Sequence, residues 1–220
     1  MAKIAAIVPA FNEEKTVGEV VRTLVASGEF EDVVVISDGS TDRTADRARE
    51  AGATFVHELP RKEGKGAAML HGLRHTTAPL VFFADADLRG FTVKHVRRLV
   101  RPVVEGEMAM TASLRDRGSV ANVFEALLPL VGGERAMRRE VIETIPPRFL
   151  RGFRVEAALN YHCRVRGWKY GGILLPGLGL RTKVQKVGWL KAIPEYFWMI
   201  LEVASAIVEV RVARMRGRFI

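Results

Sequence analysis

The chain has 220 residues, with 34 Lys and Arg against 25 Asp and Glu, a formal net charge of +9 and 48% hydrophobic residues. This is the composition of a soluble globular domain of ordinary size, able to bury about 70% of its unfolded surface, and it excludes disordered and fibrous classes. The lone Cys163 can form neither an intrachain disulfide nor a cysteine-based zinc site, which points to a reducing compartment and a small buried side chain.

From the N-terminus, the apolar stretch 4–8 is too short for a signal-peptide core and runs directly into Pro9-Ala10-Phe11-Asn12-Glu13-Glu14. Short β-branched runs at 4–8, 32–37, 54–57, 80–84 and 108–112 alternate with helical patterns at about 16–26, 42–51, 66–75 and 93–105. That rhythm predicts an α/β fold, with βα units stacked on a mainly parallel sheet flanked by helices. Thr41 and Thr92 stand where they can cap the second and fourth helices, and Gly52 and Gly106 where they can end them.

From residue 113 the rhythm breaks. Residues 113–119 read as a polar, Arg-rich loop and 120–131 as an apolar helix interrupted by Pro129. An amphipathic helix over 155–166 and a strand over 170–175 lead through a Gly-rich turn to a basic linker over 181–191. The last pattern, from Glu195 to about Arg214, is apolar round nearly all its circumference apart from Glu195, Glu202 and Glu209. Such a C-terminal apolar helix must be covered. The three covers are its own domain, a second copy of the chain in a homodimer, and an anionic membrane surface with Trp189, Tyr196 and Trp198 at headgroup depth. No span of about 20 apolar residues is present, so the expected location is cytoplasmic, with peripheral contact at the inner face of the membrane as its variant.

Charge is unevenly placed: residues 1–60 carry six basic and eleven acidic side chains, residues 141–220 fourteen and five. A basic half suits phosphorylated substrates or anionic lipid. Zinc-finger spacing, a basic zipper and an RNA-binding aromatic strand are all missing, so no nucleic-acid partner is expected.

Ligands of an open α/β sheet bind outside the carboxyl ends of its strands, and here those positions are polar. Asp85-Ala86-Asp87 follows the apolar run 80–84, so alternation puts both carboxylates on one side, where they can share a hard cation whose other positions go to phosphate oxygens and water. Gly64-Lys65-Gly66 opens a helix with backbone free to approach a ligand and a lysine for phosphate or a base carbonyl. It is neither a P-loop nor a dinucleotide fingerprint, and a surface turn explains it equally well. Asp38 can accept an imide hydrogen from a uracil-like ring. Ser40 or Thr41 would already cap the following helix, which leaves Asp38 without a local structural task.

Together "VPAFNEE", "VISDGSTDRT", "GKG" and "FFADADL", in this order, resemble the nucleotide-binding half of family 2 glycosyltransferases with the GT-A fold. "GGERAMRREVI" and "GFRVEAAL" are similar to the acceptor side of the branch that holds polyprenyl-phosphate glycosyltransferases and glucosyl-3-phosphoglycerate synthases. The resemblance covers about residues 3–190. It implies a nucleotide-sugar-binding half over 1–112, an acceptor half over 113–190 and a helical appendage over 191–220. It implies a UDP- or GDP-sugar donor, a phosphorylated acceptor such as polyprenyl phosphate or a small phosphorylated hydroxy acid, and Mg²⁺ or Mn²⁺ on the diphosphate.

Carried over by residue, the resemblance sets Pro9, Ala10, Phe11 and Glu13 around the base and ribose, Asp38 on the base edge, and Gly64 and Lys65 by the base or diphosphate. Asp85 and Ala86 then lie against ribose and sugar, with Asp87 the principal metal ligand and Asp85 beside it. Gly133, Glu134 and Arg135 line the acceptor side, with Arg135 on a phosphate, and Glu156 or Glu134 is the base for a hydroxyl acceptor. One departure stands out: the family's metal-completing His falls at Leu180, and Arg181 or Lys183 can supply charge to the diphosphate instead. Two other classes compete. A sugar-nucleotide pyrophosphorylase would need a Gly-rich, Arg-containing loop after the first strand, and a degenerate binding domain would have no need to keep Asp38, Lys65, Asp85 and Asp87 together.

Overall fold

The computed structural model describes residues 3–115, 132–150 and 154–180. Seven strands form the central sheet: β1 (Ile4–Ala10), β2 (Asp32–Ser37), β3 (Phe55–Glu58), β4 (Leu80–Phe83), β6 (Met110–Arg115), β7 (Arg135–Arg138) and β8 (Tyr170–Leu175), in the order β3-β2-β1-β4-β7-β6-β8. A separate two-stranded ladder joins β5 (Leu88–Arg89) to β9 (Gly179–Leu180). The helices are α1 (Val17–Ser27), α2 (Thr44–Glu50), α3 (Lys65–Leu73), α4 (Val93–Val104), α5 (Arg139–Glu143) and α6 (Arg154–Val165).

Alternation along the central strands explains the three layers. Ile4, Ala6, Val8 and Ala10 of β1 face one apolar cluster with Val20, Val21 and Leu24 of α1 and Val96, Leu99 and Val103 of α4. Ile7 faces the other cluster with Val34 and Ile36 of β2, Met69 and Leu73 of α3, Val141 and Ile142 of α5, and Leu159 of α6. Both faces are covered, so these strands read as continuous apolar runs. Each fully buried Val, Leu or Ile contributes about 1.5–3 kcal/mol relative to exposure.

β1 to β4 are mutually parallel where they pair, as the βα rhythm predicts. The second half differs from expectation. β7, read in the sequence only as part of an acceptor segment, inserts between β4 and β6 and runs antiparallel to both. Residues 113–115 of the expected loop instead extend β6, whose ladder with β8 continues to Arg115. The helix at 120–131 and everything beyond residue 180, including the helix from Glu195, lie outside the described residues. Among the described residues no helix is long and apolar enough to cross a membrane.

The start of α2 also differs, with Arg43 at the cap position and no side-chain cap. The helix begins at Thr44, and Asp42, not Thr41, accepts from the Thr44 backbone N–H at 3.0 Å. Thr92 does cap α4, accepting from His95 N at 3.4 Å, and Gly106 follows its end in the left-handed region.

Candidate active site

The loops after β1 and β2 are latched to each other by their own polar side chains. Asn12, at φ +54°, accepts from Thr41 N through Oδ1 at 2.9 Å, and its backbone N–H donates to Ser40 Oγ at 3.1 Å. Glu13 N donates to Thr44 Oγ1 at 2.8 Å, and Glu14 N to Asp42 Oδ2 at 3.2 Å. Much of the two motifs is thus the wall of a cleft rather than its contact surface.

That cleft, about 340 Å³ in volume, is lined by Pro9, Ala10, Phe11, Glu13, Asp38, Lys62, Lys65, Asp85, Ala86 and Asp87. All but Lys62 were expected at the donor site. Lys62 sets its Nζ 3.7 Å from the centre of the Phe11 ring, a cation–π contact at the mouth of the cleft. The signal for it was a lysine three residues before Lys65 in the loop that leads into α3.

Asp38 is buried, and it has the structural task that capping arguments denied it. Oδ1 accepts from Glu63 N at 2.7 Å and Oδ2 from Gly64 N at 2.8 Å, which ties the loop before α3 to the end of β2. Gly39, at φ +69°, lets this loop come close, since a Cβ there would fall 2.4 Å from Lys62 N. Gly64 serves through that N–H and lies off the cleft lining. Each Asp38 oxygen keeps a lone pair for a further donor.

Asp85-Ala86-Asp87 forms the turn between β4 and β5. The antiparallel register Phe83↔Arg135, continued by two residues, sets Asp85 opposite Gly133. A Cβ at Gly133 would meet Asp85 Oδ2 at 2.2 Å, so the approach requires glycine. The Lys65 ammonium reaches Asp85 Oδ1 at 2.8 Å and Glu156 Oε1 at 3.2 Å. Desolvation pulls the Lys65 pKa down, and the Asp85 and Glu156 carboxylates overcome it, so the group lies well above the ordinary lysine value and stays charged.

Three residues expected on the acceptor side sit behind the cleft rather than on it. Glu134 is fully buried and accepts from the Ser113 hydroxyl. Arg135, 1% exposed, donates through Nε to Gly132 O and through Nη1 to Asn160 Oδ1, both at 2.8 Å. These bonds brace β7 against α6. Burial pulls the Arg135 pKa down against the Glu156 and Glu134 charges. Glu156 is buried in the first turn of α6, and its Oε2 has no hydrogen-bond partner among the described residues.

The donor set of the Asp85–Asp87 turn suits a hard divalent cation, with carboxylate oxygens at a cleft and an ammonium already standing as counter-charge 2.8 Å from one of them. No group of three or more His, Cys, Asp or Glu among the described residues is arranged to hold a metal. Two carboxylates alone leave most of the shell to diphosphate oxygens and water, as Mg²⁺ commonly takes it. No histidine lines the cleft: His57, His71 and His75 stack along β3 and α3, His95 meets Pro176 O, and His162 meets Thr144. The backbone of Leu180 pairs with Leu88, next to Asp87.

Residues 5–160 match the family model described as Glycosyl transferase family 2. The chain belongs to that family. It is 30% identical over 190 residues to glucosyl-3-phosphoglycerate synthase of Mycolicibacterium smegmatis, covering 71% of this chain and 62% of that protein. It is 34% identical over 109 residues to 4,4'-diaponeurosporenoate glycosyltransferase of Staphylococcus aureus, covering 47% of this chain and 29% of that one. The crystal structure of glucosyl-3-phosphoglycerate synthase from Mycobacterium tuberculosis with Mn²⁺, UDP and phosphoglyceric acid superposes with a TM-score of 0.77 at 26% identity, over 94% of this chain and 78% of that one. The GT-A fold is therefore the fold of this chain. The chain spans less than two thirds of the length of the curated synthases it matches. Family membership sets aside the pyrophosphorylase alternative.

Proposed function

We propose that the chain transfers a sugar from a nucleoside diphosphate sugar to the hydroxyl of a small phosphorylated acid, with UDP-glucose and 3-phosphoglycerate as the donor and acceptor to test first. The observation that carries the reading is the single cleft in which Asp38, Lys65, Asp85 and Asp87 converge beneath Phe11 and Lys62. The similar synthase has been crystallised with UDP-glucose, Mn²⁺ and phosphoglyceric acid, which supports the choice of ligands.

Transfer breaks the bond from the anomeric carbon to a diphosphate oxygen and makes one to the acceptor oxygen, so negative charge grows on the departing nucleoside diphosphate. Lys65 sets a permanent cation there, and Asp87 with Asp85 would hold Mg²⁺ or Mn²⁺ against the diphosphate. When bound, that ion supplies charge neutralisation to the leaving group. Asp38 accepts an imide N–H of the base while Phe11 offers its ring face for stacking. The acceptor hydroxyl gives up its proton as the new bond forms, and Glu156, held behind the cleft by Lys65 with one oxygen unpartnered among the described residues, is the carboxylate proposed to take it. A homodimer or a membrane contact through residues 191–220 rests on the sequence pattern alone.

Calorimetric titration with UDP and with GDP, in Mn²⁺ and then in chelator, tests the reading. Metal-dependent binding of one nucleotide is expected. Failure of both to bind the folded protein would leave the degenerate binding domain as the better account.

A further inference from the structure

Lys65 stands between carboxylates from the two halves of the chain. Asp85 belongs to the turn after β4 and opens onto the cleft, whereas Glu156 belongs to α6 and is buried behind it. One ammonium serves both, 2.8 Å from Asp85 Oδ1 and 3.2 Å from Glu156 Oε1. The second oxygen of Glu156 has no partner among the described residues, so the Lys65 ion pair, with the Arg135 guanidinium as a second cation nearby, offsets this buried charge. Asp85 is also one of the two carboxylates placed to hold a divalent cation. An ammonium and a dication on the same carboxylate repel strongly in a half-buried setting.

We propose that Lys65 is an exchangeable counter-ion that makes the metal site conditional on the donor. Before donor binds, its ammonium neutralises Asp85 and Glu156 together and opposes a bare divalent cation on Asp85. The diphosphate brings negative charge of its own, draws the ammonium toward it and frees Asp85 for the cation. Metal then arrives with the diphosphate instead of residing in the protein. The inference rests on the nucleotide-sugar reading and gives Lys65 a role as a positioning residue besides its contact with the donor.

The test uses Mn²⁺ alone as probe, read by the electron paramagnetic resonance of free Mn²⁺, on the wild-type chain and on Lys65→Met, Lys65→Arg and Glu156→Gln. Lys65→Met is expected to bind Mn²⁺ at least about tenfold more tightly than wild type, because Asp85 loses its competing cation. Lys65→Arg keeps the charge and should stay within about twofold. Glu156→Gln should bind Mn²⁺ more weakly, because the ammonium then rests on Asp85 alone. Unchanged or weaker Mn²⁺ binding by folded Lys65→Met, or tighter binding by Glu156→Gln, overturns the proposal. Should Lys65→Met fail to fold, the sign for the near-isosteric Glu156→Gln decides. Wild-type protein that binds neither UDP nor GDP with Mn²⁺ defeats the nucleotide-sugar reading instead, while the signs obtained with Mn²⁺ alone still judge the counter-ion.

Discussion

Replacing Gly133 by alanine adds one methyl group at the point where the segment before β7 meets the Asp85–Asp87 turn. Its Cβ would lie 2.2 Å from Asp85 Oδ2 and 2.8 Å from Asp85 Cγ, against ordinary contacts of 3.4 Å or more. The carboxylate must therefore retreat by about 1 Å, a distance that costs contact with a divalent cation, whose oxygens sit at about 2.0–2.6 Å. What has to move is a side-chain end, so the fold survives and the melting temperature should fall by no more than about 2–4 °C. Metal-dependent nucleotide affinity should fall about tenfold or more, which is about 1.4 kcal/mol. Gly66→Ala supplies the contrast, since its Cβ would meet the backbone carbonyl of Leu150 at 1.7 Å, where nothing can yield cheaply. That variant should lose about 1–3 kcal/mol or more of stability. Calorimetry with UDP and Mn²⁺ alongside thermal melts reads both quantities. Normal affinity in a folded Gly133→Ala chain would refute the placement of Asp85 at the cation.

Asp87→Ala removes a cleft carboxylate and should abolish metal-dependent nucleotide binding with little change in melting temperature, as calorimetry and a melt on the same sample will show. Asp38→Asn keeps one acceptor for two backbone donors, Glu63 N and Gly64 N, so it should cost about 1–3 kcal/mol in chemical denaturation and weaken nucleotide binding together. His162 gives a pH dependence. Burial, helped by Arg166, lowers its pKa from about 6.5 to about 4, so the unfolded chain takes up the proton first as pH falls. Stability from this group is intact above pH 6.5 and declines toward pH 4 by up to about 3 kcal/mol. His162→Gln should flatten that part of the stability profile, and an unchanged slope would exclude the residue as its source.

The fold of the first half of the chain was legible because the same pattern that sets its strands also sets the residues at their ends. β1, β2 and β4 are buried on two faces, so they read as apolar runs, and the residues that line the cleft follow where those runs stop. Composition at the strand ends did not reveal which polar residues touch ligand and which hold the wall. Asn12, Ser40, Thr41, Asp42 and Thr44 are spent on latching two loops, a pairing between residues about 30 apart that only the folded chain displays. β7 escaped notice for a different reason. Arg135-Ala136-Met137-Arg138 has arginines at both ends and no β-branched residue, so propensity argues against a strand. Its place between β4 and β6 supplies the hydrogen bonds on both sides that propensity lacks.

Sheet order rather than chain order brings the residues before β7 to the end of β4. β7 follows β6 in the sequence yet pairs with β4, and its antiparallel register carries Gly133 past the end of β4 to Asp85. A parallel strand in that position would have sent its preceding loop to the opposite edge of the sheet, away from the carboxyl ends where ligands bind. The reversal therefore delivers the residues before β7 to the turn that holds Asp85 and Asp87. The same strand carries Arg135, whose bond to Asn160 anchors α6, and α6 in turn holds Glu156 against Lys65. Loss of the Arg135 guanidinium should accordingly loosen α6 and shift Glu156. Arg135→Met is expected to lower stability by about 3–5 kcal/mol, because Glu134 and Glu156 lose a buried cation. Denaturant unfolding measures the loss. A change under about 1 kcal/mol would mean that Lys65 alone carries the buried carboxylates and that Arg135 is not the brace its hydrogen bonds describe.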